Sequence, residues 1–443
     1  MNLRYMKRTC FYLIIFFLSG LSFAHAQDTL SLQEAIRIGL ENNYMIQIAE
    51  NDQKIGENNH TIGNAGFLPT LDIAASQIYD IQDSKIDFAN GDEQVRNGAK
   101  SNNFNAGANL EWIVFDGMRM FVAYDRLAAE KEASAVQTEI AIENTLAQIS
   151  SAYYTVVLEQ ARLDVFQESL ELSEERLEIA KAKYEVGKAS KLEYLAAQVD
   201  YNADKSALIL QKESLNNAKV NLNTLVARPP DVDFAVPVSI DPNLTLDRTE
   251  LRELVASGNP NLLLAQRTQN VQYLQMKELK SAILPEISLF TGYNYASSEA
   301  EAGFTLGRRA DGISYGIRGT MSIFDGFNRT REIQNAKILL ETTDLQIENL
   351  RLEINAELER AYVNYQNSID LITLERENLG VARENAEIAL ERYRLGNTNA
   401  LELREAQRNA VQAESRLLDA VYNTKIAEIE LLRLTGQMVD SAP

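Results

Sequence analysis

Glu193 and Glu402 each stand six positions after a glycine, in two similar stretches of the 443-residue chain. The first reads AKYEVGKASKLEYLAAQ, from Ala182 to Gln198. The second reads ERYRLGNTNALELREAQ, from Glu391 to Gln407. Glu405 follows Glu402 by three, which puts both carboxylates on one helix face. Another acidic pair, Glu174-Glu175, lies beside Arg176. Such pairs can serve acid–base chemistry, but on a helix surface beside an arginine they read as solvated charge. Glu402 and Glu405 have the same plain reading, solvent-facing residues of a glutamate-rich chain, beside a functional one.

Little else in the chain could do chemistry. The N-terminus has basic Arg4, Lys7 and Arg8, an apolar run from Phe11 to Leu18, and Ala24-His25-Ala26. This is the pattern of a secretory signal peptide over 1–26, too short for a convincing membrane span. Cleavage would remove Cys10, the only cysteine, and His25. Cys10 precedes the apolar run, so it is not placed as a lipid-anchor cysteine. What remains cannot be a disulfide scaffold or thiol enzyme, and His60 alone cannot supply a Ser-His-Asp triad or a multi-histidine metal site. His60, in the polar GENNHTIGN, reads as a surface histidine. No catalytic residue, metal site or cofactor is expected. A formal charge of -20, more negative after signal removal, argues against nucleic acid as a partner.

The two glycine stretches read as bends between helices. Gly187 and Gly396 suit a helix C-terminus with left-handed backbone, and Ser190 and Asn399 suit the next N-cap. A bend without further role accounts for the glycines and caps. It accounts less well for two tips whose flanking residues also match.

The match extends along the chain. FLPTLDI from Phe67 pairs with ILPEISL from Ile283. VFDGMR from Val114 pairs with IFDGFN from Ile323, and the offset of 209 then holds without a gap. The chain therefore reads as two copies, 27–228 and 249–436, joined by a linker over 229–248 and followed by a tail over 437–443. Each copy opens with a helix, about 31–61 and about 249–281; Ser31 with Glu34 fits a capping box. A proline, Pro69 or Pro285, then starts an extended stretch. Strands are expected at about 70–80, 104–115, 285–296 and 313–324. In the second, Phe104, Ala106, Ala108, Leu110, Trp112 and Val114 alternate with Asn103, Asn105, Gly107, Asn109 and Glu111. Such strands fit a bilayer crossing or a sheet packed on a soluble core. The polar, glycine-bearing segments between paired strands read as surface loops.

After each FDG the pattern turns helical, giving hairpins over about 118–228 and 328–436. Met118 to Val186 holds no proline or glycine, which at about 1.5 Å per residue makes a helix of roughly 100 Å. Apolar residues at heptad spacing, Ile149, Val156, Leu163 and Leu170 in the first copy and Leu358, Tyr365, Ile372 and Leu379 in the second, mark a coiled-coil seam. A helix this long needs neighbours along its length, some of them from other chains.

The order of these elements, the two FDG turns and the paired Y-x-x-G-x-x-x-x-L-E tips resemble the TolC-type outer-membrane efflux proteins over essentially the whole mature chain. The resemblance implies a mostly α fold with a small β part: a long coiled α-helical barrel, with four strands per chain entering a 12-stranded transmembrane β-barrel of a homotrimer. It implies an outer-membrane location with a long periplasmic extension, the 229–248 linker being equatorial. It implies a channel-tunnel that serves as passive exit duct of a tripartite efflux or type I secretion system. The partners implied are a periplasmic adaptor and an inner-membrane pump, proton-driven more readily than ATP-driven. The tips Gly187, Lys188, Ala189, Ser190 and Gly396, Asn397, Thr398, Asn399 would dock the adaptor. Glu402 and Glu405 would form the pore constriction, with Tyr393 and Glu193 beside them. The family's best-known member has aspartates at the two glutamate positions. Thr398 stands where that member has a basic latch residue, and Arg394 and Arg404 are nearby arginines that could substitute. The alternative is a periplasmic coiled-coil scaffold or adaptor without a membrane barrel; an adaptor would be expected to carry a compact lipoyl-like domain between its hairpin arms.

Overall fold

A computed structural model describes residues 29–439 except 303–304. The expected signal peptide and the last four residues of the tail lie outside the described residues. In chain order the elements are α1 (Leu32–Asn42), α2 (Tyr44–Asn59), β1 (Thr70–Asp87), β2 (Glu93–Asp116), α3 (Arg119–Glu185), α4 (Lys191–Leu225), α5 (Arg248–Gly258), α6 (Pro260–Ser281), β3 (Glu286–Ala300), β4 (Gly307–Thr320), α7 (Asn328–Arg394) and α8 (Ala400–Thr435). They fall into two compact units, one from residues up to 47 with 142–258 and 356 onward, the other from 48–141 and 259–355. Among the described residues no helix is long and apolar enough to cross a membrane.

The first unit is helical. Its core gathers Ala35 and Ile36 of α1, Leu146, Ile149, Ala152 and Val156 of α3, and Leu222 of α4. Gly39 lets α1 approach α3 closely: a Cβ there would stand 2.2 Å from Ile149 Cδ1. The first helix is expected to be continuous, but it breaks at Asn43. Asn43 Oδ1 accepts from the amides of Met45 and Ile46, and its Nδ2 donates to Leu225 O at 2.7 Å. A side chain that competes for backbone partners ends one helix and caps the next. The helix expected over 249–281 also breaks, where Asn259 caps α6 and Pro260 opens it. The 229–248 segment is packed rather than loose: Phe234 is fully buried, and Ala235 O accepts from Leu30 N at 2.9 Å. The α7 seam is buried at Leu358, Tyr365, Ile372, Leu379 and Tyr393, at spacings of seven and fourteen.

The second unit carries one antiparallel sheet in the order β1-β2-β3-β4. The registers put Ile73, Ala108, Tyr293 and Ile313 in one row, and Leu71, Leu110, Thr291 and Tyr315 in another. The apolar positions of all four strands thus share a face, as alternation predicts. The opposite face carries Asp72, Asn109, Gly292 and Ser314. The apolar face is bare in this chain, Ile73 being 82% and Tyr315 83% exposed. β1 and β4 each have one edge unpaired within the sheet.

All four strands are longer than the alternation indicates. β1 continues to Asp87 and β2 starts at Glu93, across a segment that reads as a loop. There the ladder is held by backbone pairing around a register shift between Gln82 and Ser84, and most of its residues are exposed, with no continuous apolar side to impose a period of two. Asn90-Gly91 closes the turn, Gly91 at φ 90°. β3 and β4 likewise extend through Ala300 and Gly307, while β4 ends at Thr320 rather than near 324.

Candidate functional site

Both helical tips end in the same backbone motif. At the first, Gly187 (φ 74°) donates its N–H to Tyr184 O at 3.0 Å and Lys188 N donates to Lys183 O at 2.8 Å. At the second, Gly396 (φ 78°) donates to Tyr393 O at 3.1 Å and Asn397 N to Arg392 O at 2.8 Å. These pairs satisfy the last carbonyls of α3 and α7 and require a left-handed residue, which glycine supplies at least cost. Ser190 Oγ then accepts from Glu193 N at 3.2 Å, and Asn399 Oδ1 from Glu402 N at 2.9 Å. The acid six positions after each glycine is therefore the third residue of a capped helix, where its charge also suits the helix N-terminus.

The predicted residues divide. Tyr393 and Glu193 meet: the phenol, 1% exposed, donates to Glu193 Oε1 at 3.5 Å. Burial, with Glu193 beside it, pushes the Tyr393 phenol up. Glu402 and Glu405 are exposed and apart from that pair. Glu402 accepts from the Thr398 hydroxyl, so the side chain standing at the latch position binds one of the two glutamates. Glu405 pairs with Arg408 at 2.6 Å. Arg394 pairs with Glu175 and Glu391, and Arg404 with Asp200 at 2.9 Å. Of the adaptor-tip residues, Gly187, Lys188, Ser190, Gly396, Asn397 and Asn399 are exposed, and Ala189 and Thr398 are half-buried.

Lys183 contacts Tyr393, and no motif in the sequence marks it. Its Nζ donates to Tyr393 O at 2.7 Å and lies 3.8 Å from the ring centroid. Below the tip, Arg176 is not the solvated surface arginine expected from its neighbours. It is 3% exposed, donates to Gln407 Oε1 at 2.9 Å, and has Asp200 at 3.6 Å. Burial pulls its guanidinium down, against the pull of Asp200 and Asp204. Burial likewise pushes the Asp204 carboxyl up, against a hydrogen bond from Ser173 and the charge of Arg176. A sequence signal for this cluster existed: Ser173 interrupts the α3 seam, and Asp200 and Asp204 lie one turn apart on α4. His60 is half-buried rather than fully at the surface, its ring 4.4 Å from that of Tyr124.

The family model described as "Outer membrane efflux protein" matches twice, over residues 35–228 and 251–437. Outer membrane efflux protein BepC of Brucella suis is 20% identical over 51% of this chain and 50% of its own length, so that match spans about half of each protein. Protein CyaE of Bordetella pertussis is 23% identical over 93% of this chain and 85% of its own. The fold is similar to the Campylobacter jejuni CmeC outer membrane channel, with a TM-score of 0.74 at 17% identity over 94% of this chain and 90% of that one. The structural neighbours are channels rather than enzymes. By the doubled family match, which takes in most of its length, the chain belongs to the outer membrane efflux protein family and is an outer-membrane protein with a periplasmic extension.

Proposed function

We infer that the protein is the passive exit duct of a tripartite efflux or type I secretion system, built as a homotrimer from chains of two structural repeats. The observation that carries this is the bare sheet. Four strands with one apolar face and two open edges cannot stand in lipid alone, because unpaired backbone groups find no water there. Three copies joined edge to edge give twelve strands and no edge. The apolar row of Ile73, Tyr293 and Ile313 then faces lipid, and the row of Asp72, Asn109 and Ser314 faces the lumen. The exposed helical tips around Gly187 and Gly396 dock a periplasmic adaptor. An inner-membrane pump, taken as proton-driven, supplies the energy. Glu402, Glu405 and Glu193, with Tyr393, form the constriction, where carboxylates from three chains favour cations.

The test is conductance of the purified protein in planar lipid bilayers, wild type against Glu402→Ala/Glu405→Ala. Small cation-selective steps that enlarge or lose selectivity in the variant are expected. Steps unchanged by the substitutions would keep the duct and remove these glutamates from its gate. Folded protein that neither inserts nor conducts would overturn the barrel and favour a periplasmic coiled-coil scaffold.

A further inference from the structure

A cavity of about 560 Å³ opens among α3, α4 and α8 below the tips. Four arginines line it, Arg176, Arg404, Arg408 and Arg416, against one carboxylate, Asp204. On a chain of formal charge -20 this local balance runs opposite to the whole. All four have carboxylate partners: Arg176 and Arg404 with Asp200, Arg408 with Glu405 and Arg416 with Glu375. The side chains of Arg404, Arg408 and Arg416 are nonetheless about half exposed, and a guanidinium with five N–H donors is not exhausted by one partner.

Two deeper donors make the stronger point. Arg176 is buried, and its Nε has no hydrogen-bond partner among the described residues. Gln407 gives its carbonyl to Arg176, which leaves its buried Nε2 also without a partner. Buried donors are normally satisfied, and both residues line this cavity. They call for an acceptor. The rest of the wall includes the apolar side chains of Phe166, Leu172 and Val411. The volume is that of sites for drug-sized molecules.

We propose that this cavity binds an amphipathic organic anion, its carboxylate, sulfonate or phosphate head among the arginines and its apolar body against Phe166, Leu172 and Val411. The purpose of such binding, retention of an anionic cargo near the tips, rests on the exit-duct reading; the binding itself does not. Asp204 is the one lining group that opposes an anion, and burial already disfavours its charge.

The experiment is isothermal titration calorimetry on the full chain in lipid nanodiscs with three probes: naphthalene-1-sulfonate, the neutral naphthalene-1-methanol, and sodium sulfate. Saturable binding of the sulfonate is expected, with little from the other two. Arg404→Gln/Arg416→Gln should weaken it about tenfold, since each charge-assisted contact is lost from a half-exposed site. Asp204→Asn should tighten it. The opposed signs separate lost contact from lost fold. No sulfonate binding, equal binding of the neutral probe, or indifference to the arginine changes would overturn the proposal. Sulfate binding as tightly as the sulfonate would reduce the site to one for bare anions and overturn the amphipathic claim. Bilayer conductance of the same preparation reports on the duct independently.

Discussion

Lys183 links the two tips through Tyr393. It reaches from α3 to the last turn of α7, satisfying Tyr393 O and covering the ring. The hydrogen bond and the cation–π contact together are worth about 1–2 kcal/mol at a half-buried site. Lys183→Met should speed hydrogen exchange of the Lys188 and Asn397 amides and, if this contact holds the duct closed, enlarge its unitary conductance. Faster exchange with unchanged conductance would leave Lys183 a structural clasp only. Asp204 makes a pH prediction. Its folded carboxyl is raised above the ordinary value by burial. The folded state therefore holds the proton more tightly, and this contribution to stability is present in acid and lost as pH rises through the raised value. Asp204→Asn should raise the melting temperature at pH 7, with the advantage over wild type shrinking below the ordinary carboxylate range. An advantage that persists unchanged in acid would contradict the assignment.

At the level of strands and helices, the two faces of the sheet have opposite tolerance. Arginine at Ile73, on the bare apolar face, should cost about 2–4 kcal/mol where that position meets the middle of a bilayer. Arginine at the adjacent Asp72, on the polar face, should cost little. Recovery of Ile73→Arg and Asp72→Arg in the outer-membrane fraction checks this, and equal recovery would mean that the apolar face does not meet lipid. The helices have a different logic. Their seams repeat every seven residues and are buried at Tyr365, Ile372 and Leu379 of α7, yet Leu345, Leu352 and Val381 of the same helix stay exposed in one chain. Apolar surface at helical positions beyond the seam is what further helices would cover.

For the assembled protein, the open edges of β1 and β4 and the exposed helix faces lead to the same expectation: the stable species is an assembly of chains. Native mass spectrometry in mild detergent should give three times the mass of the mature chain. A monomer would contradict the twelve-strand barrel, because an open sheet edge has no stable place in lipid.

Much of this was determined by sequence alone. Period-two alternation marked the apolar face from Phe104 to Trp112, and proline-free, glycine-free stretches marked α3 to within a residue at each end. Gly187 and Gly396 announced the bends because few residues adopt a positive φ without cost. The family also was legible, from the order and duplication of weak motifs. The hairpin beyond Asp80 was not, because its strands are mostly exposed and are held by the backbone ladder and a few polar links such as Lys85–Glu93 rather than by an apolar face. The breaks at Asn43 and Asn259 depend on side chains that capture backbone groups. Only the tertiary structure decided the partners of charge. Arg176 next to Glu174-Glu175 looked solvated, and it is buried because α4 and α8 bring Asp200 and Gln407 to it. Periodicity is a property of neighbours in the chain. A buried ion pair is set by helices whose contacts lie far apart in it, and no local pattern encodes that meeting.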